Sequence, residues 1–474
     1  MIIVLYFALT ILIGLYAQRK STSAASFHGA GLGVLMCVAA GTGEWLGGTS
    51  TSGISEYGFT AGISGAWYTF ANAIGVIVLA IFFAKLYRSL DTVTVPGIIE
   101  KFLGVRARVV ASVLLTFVMI AVGTAQIIAA GTLGVTILGL DFSTAVIIMG
   151  IGFIIYTLAG GMTAVGYTNM MHLICMYGGM IVALFCVGNY IGGFSALTAN
   201  LPADPYFKIA GIGWSKVSSW IIASVLGACT AQAGIQPILA AKDVNVARKA
   251  AFLTAAAVAP FGILTALLGM AAKVTFPELT NAKLALPTLM MSLNPVIGGV
   301  VLASIFAAIL STISPIILAS GTMFTKDIYQ RVFKPHASDK EVLLMSRIST
   351  GLAGVLCILL AIALYGGTAI LDVVYFAYSI RGALFVVLLF GIYWRFTSQR
   401  GAVWSMIVTG AVGLFWVAYK AQTGSFPISP GFSETYAAVI TATLSTIIFS
   451  YIFQDKKITK KSKVRIGAEK TIET

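Results

Sequence analysis

Glu44 and Arg381 stand deep inside long apolar runs of this 474-residue chain, where charge is costly. An unpaired charge at such depth costs at least about 2.5–3.5 kcal/mol, so each needs an opposite charge or a wet cavity. A second group is Ala307-Ala-Ile-Leu-Ser-Thr. Its positions 308, 311 and 312 share one helical face through i+3 and i+4 spacing. They offer a carbonyl oxygen and two hydroxyls, and a hard cation wants several oxygens. The competing use of those hydroxyls is bonding back to the preceding turn. A third group is glycine. Gly41-Thr42-Gly43 and Gly47-Gly48 interrupt one run, and Gly227, Gly234 and Pro237 interrupt another. In transporters with inverted repeats, discontinuous helices in matching positions form the binding site, and their unwound carbonyls hold cations. Close packing is the alternative use of such glycines.

Composition names the class of element that must position these residues. Hydrophobic residues make up 58% of the chain and charged residues 10%, against about 25% charged in soluble domains. A soluble globule, a disordered chain and a disulfide scaffold are excluded. A polytopic all-α membrane protein remains. A spanning helix needs about 20 mainly apolar residues. About thirteen runs qualify, at 1–18, 33–55, 63–86, 108–138, 142–160, 164–191, 216–240, 250–273, 285–325, 345–365, 369–393, 400–419 and 433–453. The run at 285–325 is too long for one crossing, so its first part is expected to be re-entrant or outer. The first run has no preceding positive charge and reads as a retained span rather than a signal peptide. Numbering the loops alternately puts 24 of the 30 basic residues on one side. Lys208, Lys216, Lys273, Lys283 and Lys420 fall on the other, and Arg381 lies inside a span. The positive-inside rule then places the N-terminus outside and the C-terminus in the cytoplasm. The net charge of +14 is therefore an orientation signal and not a nucleic-acid surface. The basic tail at 454–474 reads as a solvated anchor near anionic lipid.

If 1–18 is an added helix, the two interrupted runs become helices 1 and 6 of a ten-helix core. The domain reading is one transmembrane unit over 1–453. It comprises the extra helix 1–18, a first repeat at 33–191, a second at 216–393 and two closing helices within 400–453. The helical rise puts Glu44 about 16 Å and Arg381 about 18 Å from the cytoplasmic ends of their spans. Two readings stay open: an ion pair across core helices 1 and 10, or contact with the solute, Arg381 gripping a carboxylate through its fork. Trp45, Trp67, Tyr68, Asn72, Gln126, Gln232, Gln236, Tyr375 and Tyr378 are expected to face the same cavity, with packing or an interfacial belt as their alternative roles. Gln232 and Gln236 stand i, i+4 on the interrupted helix. The three histidines are too scattered for a metal site, and the five cysteines read as small buried residues. There is no P-loop and no nucleophile–base motif, so neither ATP-driven transport nor enzyme chemistry is expected.

The ordered set of segments resembles the sodium:solute symporter family over nearly the whole chain. The matching stretches are Ala25-Ser-Phe-His-Gly-Ala-Gly-Leu-Gly, Ser52-Gly-Ile-Ser-Glu-Tyr-Gly-Phe-Thr-Ala-Gly, Thr94-Val-Pro-Gly-Ile-Ile-Glu-Lys-Phe-Leu-Gly, Gly160-Gly-Met-Thr-Ala-Val-Gly-Tyr-Thr, Gln232 to Gln236 with Ala240-Ala-Lys-Asp, and Ala307-Ala-Ile-Leu-Ser-Thr with Asp327-Ile-Tyr. The resemblance implies a leucine-transporter-type five-plus-five inverted repeat with an added N-terminal helix. It also implies a sodium site between core helices 1 and 8. That site maps to the carbonyls of Ala39 and Thr42, or one residue earlier, and to the Ala308 carbonyl with the Ser311 and Thr312 hydroxyls. Many members carry an acid and then a glutamine in core helix 5. Here those positions are Asn169 and His172, which leaves ion choice and stoichiometry open.

The function expected from these readings is sodium-coupled symport of a small polar organic solute by alternating access, in the inner (plasma) membrane. Arg381 tilts the solute toward a carboxylate. Sodium is the coupling ion, with no organic cofactor and no nucleic-acid partner. Proton-coupled or sodium-independent transport on the same fold is the alternative, kept alive by His172. A solute sensor is a further alternative, disfavoured by a tail of only about 20 residues.

Overall fold

The computed structural model describes residues 2–18 and 31–453. The basic tail at 454–474, Arg19 and Lys20, and the Ala25–Ala30 part of the first family segment lie outside the described residues. Among those described, every named element is a helix, and one isolated β-bridge joins Leu32 to Ala241. Among the described residues, ten helices are long and apolar enough to cross a membrane.

The main helices are α1 (Ile2–Gln18), α2 (Val34–Trp45), α3 (Trp67–Val78), α4 (Val105–Leu138), α5 (Phe142–Tyr190), α6 (Trp214–Ala228), α7 (Gln232–Ala240), α8 (Val244–Val258), α9 (Phe261–Thr275), α10 (Pro295–Met323), α11 (Asp339–Leu364), α12 (Ile370–Tyr393), α13 (Gln399–Thr423) and α14 (Glu434–Ile452). Their ends follow ordinary capping chemistry. Asp243 and Ser338 accept hydrogen bonds from backbone N–H groups at the starts of α8 and α11, and Glu341 completes a capping box with Ser338. Gly139 and Gly424 close α4 and α13 at positive φ.

The expected thirteen spans differ from the ten found. Helix α1 has 17 residues, and α2 stops after 12 because the chain unwinds behind it. Helix α5 is assigned without interruption over 49 residues where two spans are expected. Its apolar stretches Phe142–Leu158 and Thr168–Tyr190 stand where the two spans are expected, and the Tyr156 hydroxyl donates to Thr168 at 2.5 Å. The long run at 285–325 divides at Ser292–Asn294 into a short helix, Ala285–Met291, and α10.

Helix α10 lies at the centre, against α2, α4, α5 and α11, while α12 packs on α4, α6 and α14. Small residues set the closest approaches. The short helix Ile54–Ala61 crosses α9 so tightly that a Cβ at Gly269 would lie 2.9 Å from the Gly58 Cα and 3.0 Å from the Phe59 nitrogen. Forcing a side chain into such a contact costs about 1–3 kcal/mol. Gly269→Val is therefore expected to lower the thermal unfolding midpoint of the purified protein by that equivalent. An unchanged midpoint would reject the crossing.

Candidate functional site

Two helices break at the level of the buried charges. Helix α2 ends at Trp45, the chain leaves the helix over Leu46–Gly48, and it resumes in a wide turn at Thr49–Gly53. Glycine is needed there by close approach. A Cβ at Gly48 would stand 3.1 Å from Ile309 and 3.2 Å from the Gln126 amide oxygen. Helix α6 ends at Ala228, and α7 begins at Gln232. The start of α2 and the end of α7 are joined by main-chain bonds, Leu32 N to Ala240 O at 2.9 Å and Lys242 N to Leu32 O at 3.0 Å.

The unwound end of α2 faces α10. The Ser311 hydroxyl donates to the Ala308 carbonyl at 2.8 Å and reaches the Leu46 carbonyl at 3.4 Å. The Thr312 hydroxyl donates to the carbonyls of Gly43 and Ala308. The Asn169 amide donates to the Ser311 carbonyl at 3.1 Å. Gln126 braces the break, accepting from Gly48 N at 2.7 Å and donating to the Thr49 hydroxyl at 3.4 Å. Oxygens from α2 and α10 thus converge on one buried, uncharged spot, with the amide nitrogen of Asn169 from α5 at its edge.

The two charges meet one layer away. Arg381 Nη1 lies 3.1 Å from Glu44 Oε1, with both side chains fully buried. The guanidinium stacks 3.5 Å above the Tyr378 ring centre and 5.1 Å from that of Trp45. Two glycines make room for it. A Cβ at Gly227 would lie 2.9 Å from Arg381 Nε, and one at Gly234 would lie 3.2 Å from the Trp45 ring. From here aromatic rings form a continuous column. Tyr378 contacts Tyr68 and Tyr375, Tyr375 stacks on Trp220 at 4.4 Å, and Trp220 meets Tyr57 edge-on. The column ends at Asp372, which accepts from Tyr57 at 2.8 Å and pairs with Lys216 at 3.1 Å. Beyond the opposite end of α12, Arg108 bridges Glu100 and Asp327, and Arg331 also bonds Glu100. Glu100, Arg108 and Arg331 border a cavity of about 630 Å³ also lined by Arg88, Lys101 and Asp91.

The structure thus brings together Glu44, Trp45, Tyr68, Tyr375, Tyr378 and Arg381. Asn72 lies one turn from Tyr68 on the same face of α3, fully buried. Gln236 is buried one turn beyond Gln232 on α7. The remaining named residues have the following surroundings. The carbonyls beside Ser311 and Thr312 are those of Gly43 and Leu46, rather than those of Ala39 and Thr42. Ala39 lies inside the intact helix, where its carbonyl serves the ladder, and the Thr42 carbonyl accepts from Leu46 N. Gln232 bonds Val95 N and Val93 O, holding the loop helix Val95–Leu103 instead of facing the charged pair. Trp67 donates its indole N–H to the Ile209 carbonyl at an exposed edge. His172 is buried and hydrogen-bonded to Tyr6 of α1. Gln126 is committed to the break. Trp220, Tyr57, Asp372 and Lys216 were not anticipated, although Trp220 precedes Gly227 by two helical turns on the same broken helix.

The family model described as sodium:solute symporter family matches residues 27–409. The chain belongs to this family. Its relatives include the osmoregulated proline transporter of Bacillus subtilis, 25% identical over 465 residues, covering 93% of this chain and 94% of that protein. The sodium/glucose cotransporter of Vibrio parahaemolyticus is 26% identical, covering 88% and 84%. Among solved structures, an outward-open, substrate-bound Na+-coupled sialic acid symporter superposes with a TM-score of 0.79 at 21% identity, covering 95% of this chain and 97% of that one. A nucleobase-cation-symport-1 family transporter in a closed conformation gives 0.61 at 13% identity, covering 93% and 98%. The fold is of the leucine-transporter type, and this symporter-family chain is a transporter rather than an enzyme.

Glu100 gives a pH test outside the spans. Burial pushes its carboxyl up, but the hydrogen bonds and charges of Arg108 and Arg331 outweigh that and hold it below the ordinary glutamate value. A lowered native value means stability that is present above the ordinary glutamate range and lost as pH falls through the lowered value. Glu100→Gln is expected to melt below the wild type at pH 7. The two melting curves should converge as the medium is acidified past that range, whereas a constant gap would refute the linkage.

Proposed function

We propose that this chain couples inward sodium flow to uptake of a small carboxylate-bearing solute by alternating access. One observation carries the sodium half: the Ser311 and Thr312 hydroxyls meet the freed carbonyls of Gly43 and Leu46. With sodium present, the hydroxyl protons would turn away, and five oxygens would face the ion: those two carbonyls, the Ala308 carbonyl and both hydroxyls. Five neutral oxygens suit a hard monovalent cation. Asn169 at the edge adds an amide where many relatives carry an acid, so the site keeps no fixed negative charge. Sodium there would clamp α2 to α10 and drive the cycle only through unequal affinity for the two states.

The pair at Glu44 and Arg381 adjoins this clamp and is the solute-binding layer in this reading. The aromatic column from Tyr378 to Tyr57, capped by Lys216 and Asp372, would close the path on one side. The Arg108 cluster would close it on the other. Thirteen crossings, ten of them in two inverted five-helix repeats with the extra helix α1 before and two closing helices after, fit the pair of broken helices. The distribution of basic residues supports an N-terminus outside and a cytoplasmic C-terminus in the cell membrane. The basic cavity then opens to the cytoplasm.

Uptake into proteoliposomes under imposed sodium or proton gradients tests the coupling, and accumulation indifferent to sodium would overturn it. A hydrogen-bond-type contact to an ion is worth about 1.5–3 kcal/mol. Ser311→Ala and Thr312→Ala are each expected to raise half-saturating sodium roughly tenfold or more. Unchanged sodium activation in both would reject this site.

A further inference from the structure

We infer that the Glu44–Arg381 pair recognises a zwitterion, with the carboxylate on Arg381 and the ammonium on Glu44. The inference rests on the transport reading above and narrows its solute class to small amino acids.

The pair is incompletely satisfied. One contact joins it, from Nη1 to Oε1. Glu44 Oε2, Arg381 Nε and Arg381 Nη2 have no hydrogen-bond partner among the described residues, though both side chains are fully buried. A pair kept for structure alone would carry a heavy desolvation penalty with half its bonds unmade. The free atoms have a definite geometry. Nε and Nη2 form one edge of the guanidinium, the fork that holds a carboxylate through two parallel bonds. Oε2 is a lone anionic acceptor a few ångströms away, which calls for a cation.

The surroundings agree. Gly227 stands at the Nε edge, where even a methyl group would come within 2.9 Å of the nitrogen. The Asn72 amide is buried with neither its nitrogen nor its oxygen partnered. It shares a face of α3 with Tyr68, which bonds Tyr378, and with Val76, which lines a small void beside Trp45. Trp45, Tyr68 and Tyr378 supply ring faces on which an ammonium is favourable.

Other solute classes fit less well. A simple carboxylate would compete with Glu44 for Arg381 and leave Oε2 beside like charge. A simple amine would do the converse to Arg381. A neutral sugar would satisfy neither group. An α-amino acid carries both charges one carbon apart, so it can part Nη1 from Oε1 and leave each with a new partner.

The test is thermal stabilisation of the purified protein in sodium by the twenty proteinogenic amino acids, each compared with its deaminated acid and its decarboxylated amine. At least one amino acid is expected to stabilise, with its acid and amine at least tenfold weaker. Stabilisation by the acid equal to that by the amino acid, or by no amino acid, overturns the inference. Glu44→Gln should abolish the preference for the amino acid over its acid, and a retained preference overturns the assignment. Gly227→Ala, kept only if it elutes as a single folded species, keeps both charges and should weaken amino-acid binding at least tenfold. Unaltered binding would overturn the placing of the carboxylate. Sodium-driven uptake of the acid alone would leave the transport reading standing and sink the zwitterion. Sodium-indifferent uptake of the amino acid would do the reverse.

Discussion

In a hydrocarbon surrounding, a carbonyl freed from a helix has no water to turn to. Helix α2 frees its last carbonyls where it unwinds after Trp45, and the neighbouring elements are arranged around that fact. The hydroxyls of α10 face Gly43 and Leu46, and Gln126 reaches from α4 to hold Gly48 and Thr49. The backbone polarity released by the break is collected at one spot. Under the proposed function, this collected polarity is what would attract a cation to a region of neutral residues.

The same economy governs the charges. Glu44 could not be buried alone, and α12 brings Arg381 to it. The guanidinium then needs flat neighbours and empty space, provided by Tyr378, Trp45, Gly227 and Gly234. Aromatic contacts continue the layer along α12 to Asp372, so one helix carries the charge, its stacking partners and the terminal ion pair. The hydroxyl–carbonyl layer and the charged layer share α2, which contributes Gly43 to the one and Glu44 to the other. Adjacent residues on an unwinding helix face different neighbours, and this places the two layers side by side.

Much of this was legible in the residues. A glutamate and an arginine inside apolar runs are conspicuous because burial is expensive, and the helical rise placed them at one depth before any contact was visible. Ser311 and Thr312 were found through spacing. The carbonyl register was not legible, because only the second of the two glycine groups marks the breaking point. Gly41-Thr42-Gly43 stays helical, while Leu46–Gly48 departs. Gln232 has the i, i+4 spacing of a cavity residue, yet its partners Val93 and Val95 lie in a distant loop. Periodicity reports a face and not who stands opposite it. Trp220 and Asp372 escaped notice because an aromatic and an acid near span ends are ordinary interface residues.

The short bridge between Leu32 and the end of α7 has a mechanical meaning. Two main-chain bonds and the Cys37 thiol, which donates to the Pro237 carbonyl at 3.3 Å, fasten the first turns of α2 to the last turns of α7. The segments come from distant parts of the chain, but they cannot swing separately without tearing that seam. At these ends the two helices are held as one unit. Were an ion to bind between α2 and α10 as proposed, any shift of α2 would carry α7 along, and with it Gly234 beside the charged layer.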